Sequence, residues 1–177
     1  MQPISKGFYL GSIVLGMVGV VLLFGIGFIL MISEEEEAGT ALMGLGCIPL
    51  IYGAVIVCIL IYKIWAAIQG PTARTTPGKA VGFLFIPFYN IYWQFQVFLG
   101  WTKDYNALIA QRGIAGRRAP EGLAMAMCIL TLCSIIPFVN MLASLINVKL
   151  MFIFYNAAIN GANAVITANA QESAPQA

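Results

Sequence analysis

The side chains able to do chemistry in this chain are few, and most are neutral. There are four cysteines (Cys47, Cys58, Cys128 and Cys133), no histidine and one aspartate, Asp104. No two cysteines form a C-x-x-C pair, and zinc sites need closer pairs or histidines. Cys47 and Cys58 lie about three helical turns apart, on one face but out of bonding reach. The step from Cys128 to Cys133 turns those two thiols apart. All four read as buried free thiols packing as small apolar groups. A Ser-His-Asp triad and an H-E-x-x-H zinc site both need histidine, and an aspartic dyad needs a second aspartate. Ser144 and Lys149 leave a Ser–Lys pair formally open, but their spacing also turns them apart. The sequence therefore predicts no enzyme, no catalytic residue, no metal and no cofactor.

The polar candidates that remain are amides within apolar runs: Asn90, Gln94, Gln96, Asn140 and Asn147. Ionised groups at membrane depth mark substrate paths; neutral amides suit interhelical hydrogen bonds, or a passive amide-lined path. The aromatic block from Phe83 to Tyr105 brings no coordinating residue with it, so it reads as interface and hairpin filling rather than a pigment site. Glu34, Glu35, Glu36 and Glu37 repel one another and stay in water. They lack the alternating spacing of a dedicated cation loop.

The elements that hold these residues are set by composition. The chain has 177 residues, of which 60% are apolar and 9% charged, against ~25% charged in soluble domains. Charge-poor runs cover 8–32, 41–62, 80–101 and 122–148, and roughly 20 apolar residues cross the ~30 Å bilayer core. A net charge of +2 excludes a strongly basic nucleic-acid binder. The run 8–32 is too long for the apolar region of a secretory signal and reads as a crossing helix. Gly7, Gly11, Ser12, Gly16 and Gly19 give it a small-residue side for close helix packing. A second crossing helix is expected over 41–68. Lys6, Arg74 and Lys79 against the four glutamates predict a cytoplasmic N-terminus, with loop one outside and loop two inside.

A single crossing by 80–101 would put Lys103, Arg112, Arg117 and Arg118 outside, against that same bias. An internal repeat offers a way back. Ile86-Pro87-Phe88-Tyr89-Asn90 matches Ile136-Pro137-Phe138-Val139-Asn140 at an offset of 50, and Tyr105-Asn106-Ala107-Leu108-Ile109 matches Tyr155-Asn156-Ala157-Ala158-Ile159. A weaker echo places Ala66-Ala67-Ile68-Gln69-Gly70 beside Ala157-Ala158-Ile159-Asn160-Gly161. Proline within a helix removes a hydrogen bond and clashes with the preceding turn. Pro87 and Pro137 are therefore expected to break the chain, with Asn90 and Asn140 bonding to the freed backbone. The predicted fold is a single all-α membrane domain over 1–177. It holds two crossing helices, two proline-broken hairpins (78–112 and 122–161) and a flexible tail over 168–177. Four kinked crossing helices are the alternative.

Residues Thr75 to Trp93, with Pro77-Gly78-Lys79-Ala80 followed by Phe85-Ile86-Pro87-Phe88-Tyr89-Asn90-Ile91-Tyr92-Trp93, resemble the P-G-K-A…F-I-P-F-x-N-x-Y-W stretch of a loose group of bacterial multi-pass membrane proteins. The resemblance is most specific over 62–110. It implies a bacterial inner-membrane location and carries with it no activity and no catalytic residue.

The functional expectation is a non-catalytic structural, assembly or bilayer-organising subunit, working as a homo-oligomer or within a larger membrane complex. Arg74, Lys79, Arg112, Arg117 and Arg118 would form a cytoplasmic rim holding anionic headgroups. A small oligomeric channel or carrier with an amide-lined path is the alternative.

Overall fold

A computed structural model describes residues 1–33, 35–71 and 73–173, which are helical apart from short connections. The elements are α1 (Lys6–Ile32), α2 (Glu36–Leu45), α3 (Cys47–Ala67), α4 (Pro77–Gly82), a 3₁₀ turn (Phe83–Phe85), α5 (Tyr89–Arg112), α6 (Glu121–Cys133) and α7 (Pro137–Glu172). The fold is an all-α helical bundle. Lys6–Ile32, Glu36–Ala67 and Leu142–Glu172 are each long and apolar enough to cross a membrane. Contacts divide the chain, for which the sequence predicts a single domain, into two compact units: Gly7–Leu60, and Met1–Lys6 with Ile61–Ala177.

In the first unit α2 begins at Glu36, ahead of the expected start at Ala41, because Glu36 and Glu37 occupy its first turn. Carboxylates there face the positive end of the helix dipole. The helix stops at Leu45 because Pro49, four residues on, has no N–H for the Leu45 carbonyl and crowds it. Glycines bring the backbones together. A Cβ on Gly27 would lie 2.9 Å from the Gly39 oxygen, and one on Gly39 would lie 2.7 Å from the Gly27 oxygen. Gly16 lies against the backbone of Pro49 and Gly53, and Gly19 against the Pro49 ring, whereas Gly7 and Gly11 face open space. The small-residue side of α1 is thus used within the chain at its middle, not at its start.

The core of the second unit is aromatic: Trp65, Trp101, Tyr105, Phe154 and Tyr155 are fully buried. Trp101 stacks on Tyr105 with ring centroids 5.1 Å apart and donates its indole N–H to the Ile64 carbonyl at 2.9 Å. The chain breaks at both predicted prolines. Ahead of Pro87, α4 and the 3₁₀ turn fold back on α5, with Trp93 donating to the Ala80 carbonyl at 3.2 Å and Phe83 packed 4.9 Å from the Trp93 ring. Ahead of Pro137, α6 ends at Cys133 and packs against α7.

Two details differ from expectation. Backbone groups close both breaks themselves: Asn90 N–H reaches the Ile86 carbonyl at 3.0 Å, and Asn140 N–H reaches that of Ile136 at 2.9 Å. The side chains of Asn90 and Asn140 are exposed and cap neither helix. At both breaks the carbonyl four residues back already lies within hydrogen-bonding reach of the asparagine amide, so no side chain is needed to close it. The expected flexible tail is also helical from 168 to 172. Arg112 on α5 holds it, donating to Asn169 Oδ1 at 2.7 Å and Glu172 Oε2 at 2.6 Å. Residues 174–177 lie outside the described residues.

Candidate functional site

The second unit gathers its charges at one end. Asp104 lies on α5 and is nearly buried; Arg74 from the connection before α4 grips it with Nε at 2.9 Å and NH2 at 2.7 Å from Oδ1, while the Arg74 backbone N–H reaches Oδ2 at 3.0 Å. Such forked, charge-assisted bonding fixes geometry as well as energy. One turn before Asp104, Gly100 leaves room for the Arg74 side chain, which a Cβ there would meet at 3.0 Å.

The next residues build the loop 113–120. Asn106 clamps Ala119 from both sides: its Oδ1 accepts from the Ala119 N–H at 2.8 Å, and its Nδ2 donates to the Ala119 carbonyl at 3.0 Å and to Glu121 Oε1 at 2.9 Å. Tyr105 donates its hydroxyl to the Arg117 carbonyl at 3.2 Å. Burial pushes its phenol pKa upward, which keeps it a donor. Its ring is seated against glycines: a Cβ on Gly161 would meet it at 2.7 Å, and one on Gly116 would meet its hydroxyl at 2.8 Å. At this same end Ile4 and Asn163 exchange two hydrogen bonds of 2.6 and 2.9 Å. The N-terminal segment, the connection before α4, the loop 113–120 and the end of α7 therefore sit together.

Among the described residues the opposite end carries no charge. At the two proline breaks Phe85 is 71% exposed, Phe88 86% and Ile135 66%. From Tyr89 to the first charged residue of α5, Lys103, the rise is ~21 Å; from Pro137 to Lys149 it is ~18 Å; and the 13 residues of α6 span ~20 Å. All three charge-free lengths fall short of the ~30 Å hydrocarbon thickness, although α7 as a whole continues past Lys149 and over Leu142–Glu172 is long enough to cross.

A cavity of about 370 Å³ opens beside the loop, lined among others by Arg117, Arg118, Leu123, Ile153, Asn156 and Asn160. A smaller one of about 290 Å³ lies between the hairpins, lined among others by Asn90, Gln94 and Thr131. Asn147 donates to Thr131 at 2.9 Å, while Gln96 turns to Tyr92 and Arg74. Of the predicted amides, Asn90 and Gln94 are brought together and Asn140 is not. Of the predicted basic rim, Arg74 and Arg112 are held in internal pairs with Asp104 and Glu172. Lys79, Arg117 and Arg118 are exposed and have no acidic partner among the described residues. Sequence reasoning missed the Arg74–Asp104 pair, the Asn106 clamp and the Ile4–Asn163 tie. The available signal for the first was that Asp104 is the chain's one aspartate, set inside a basic stretch.

The fold and this polar end define a helical membrane protein. Comparison with family models, with curated proteins and with solved structures finds no match to this chain.

Proposed function

We propose that this protein is a non-catalytic subunit of the bacterial inner membrane that organises or braces the bilayer. In this reading α1 and the stretch Glu36–Ala67, formed by α2 and α3, cross the membrane, and α7, though long enough to cross, does not. The hairpins broken at Pro87 and Pro137 re-enter from the cytoplasmic face and do not reach the other side. The N-terminus and the loop 113–120 lie in the cytoplasm, with Lys79, Arg117 and Arg118 against anionic headgroups, each such cation contributing ~1 kcal/mol.

One observation carries this reading: the charge-free, exposed apolar tips stand only ~20 Å from the charged end. Broken backbone at such depth needs internal partners, and the closures at Ile86 and Ile136 provide them. The channel alternative draws on the Asn90–Gln94–Thr131 cavity, but no ring of charge accompanies it to act as a filter. Proteoliposomes decide between the two. The proposal expects no ion or solute flux above empty vesicles. Flux that disappears in Asn90→Leu would overturn it in favour of the channel.

A further inference from the structure

The two Tyr-Asn-Ala-x-Ile copies put their asparagines to different uses, and the difference leaves a site. Asn106 is saturated by Ala119 and Glu121. Asn156, its counterpart, lines the 370 Å³ cavity with its Oδ1 sealed in the protein and without a donor among the described residues. Its amide NH2 is then the end left for a ligand. Around it stand Arg117 and Arg118, carried there by the loop that Asn106 and Tyr105 hold, and the exposed Asn160. Among the described residues no carboxylate lines the cavity. Leu123 and Ile153 give it an apolar flank. At ~30 Å³ per water, the space would take about a dozen waters rather than one bridging molecule, and it falls within the range of ligand pockets.

We propose that this cavity binds one anionic phosphate headgroup, with Arg117, Arg118 and Asn156 donating to its oxygens and the acyl chain leaving along Leu123 and Ile153. The assignment rests on the membrane reading above and deepens it from a diffuse basic rim to a single site. Guanidinium groups suit phosphate because their forked donors match its oxygens. The apolar flank favours a lipid over a soluble phosphate ester.

The test uses the full chain in neutral detergent, titrated with dioctanoyl phosphatidylglycerol, dioctanoyl phosphatidylcholine and glycerol 1-phosphate. Saturable binding of one phosphatidylglycerol is expected, at least tenfold tighter than the other two. It should weaken at least tenfold in the double variant Arg117→Ala, Arg118→Ala, and severalfold in Asn156→Leu. Asn156→Leu should also melt no lower than wild type without lipid, since it removes a sealed oxygen that lacks a donor; a purely structural asparagine would not behave so. Equal binding of phosphatidylcholine, or binding unchanged in both variants, would overturn the site. Tighter binding of glycerol 1-phosphate would overturn the lipid assignment. Flotation with vesicles is read in parallel. Protein that floats yet shows no preference refutes the site alone, whereas protein that floats with no vesicle refutes the membrane reading and the site with it.

Discussion

The two repeats, 86–109 and 136–159, begin with the same backbone and then part. Ile86 and Ile136 have φ, ψ of −84°, 115° and −84°, 116°, and each accepts from the amide four residues on. After that, the first copy makes a γ-turn: Tyr89 N–H reaches the Pro87 carbonyl at 2.7 Å, and Phe88 sits at φ 61°. The second copy runs directly into α7 at Pro137, where the missing N–H costs nothing in the first turn. At the far end, Asn106 is consumed in building a loop, whereas Asn156 has no loop to clamp. The shared residues thus encode a local break and a buried tyrosine, and the surroundings of each copy set the role of its asparagine.

The largest effect should come from the asparagines. Asn106→Leu strands the buried Ala119 N–H and carbonyl, and unfolding free energy should fall by about 3 kcal/mol in detergent titrations. Asn156→Leu should cost nothing in the absence of lipid. Equal losses at the two sites would end the distinction between a structural and an open copy.

Gly161 sharpens the comparison with the weaker third echo. Gly161→Ala drives a methyl into the Tyr105 ring and should cost about 2 kcal/mol. Gly70, its partner in the echo, faces open space, so Gly70→Ala should stay within about 0.5 kcal/mol. Thermal melting of the two variants side by side checks both. A neutral Gly161→Ala would mean that Tyr105 is not seated as described.

The smallest effect has the opposite sign. Phe88 is exposed in left-handed backbone, so Phe88→Gly should raise stability by up to about 1 kcal/mol. Phe138→Gly, in ordinary helical backbone, should bring no such gain. A loss in Phe88→Gly would show that the exposed ring has a partner worth more than the backbone strain.

Much of this fold was legible because lipid solvation and proline leave strong marks. Uncharged runs outline the helices, and Pro87 and Pro137 locate both breaks. Pro49 lies in the first turn of α3, and its stop at Leu45 could have been read the same way. The roles of the polar side chains were hidden for a physical reason. Asn90 and Asn140 sit beside the breaks, yet backbone acceptors reach the amides first. Asn106 lies within a helix, and its partners are thirteen and fifteen residues away, beyond any helical spacing rule. The internal pairing of Arg74 and Arg112 likewise depends on which elements pack together. Local sequence marks where a chain turns; it does not mark which distant carbonyl or carboxylate arrives beside a given side chain.

The central proposal is that the hairpin broken at Pro87 returns to the face it left. The direct test replaces the four native cysteines, places a single cysteine at Ala115 in the loop between α5 and α6, and treats intact cells with a membrane-impermeant thiol reagent. A second single cysteine at Ala73, beside Arg74, serves as the reference for the same face. The proposed topology predicts that both positions are labelled only after the membrane is opened. Labelling of the Ala115 position in intact cells, with the Ala73 position still protected, would mean that α5 crosses the membrane fully, and would contradict it.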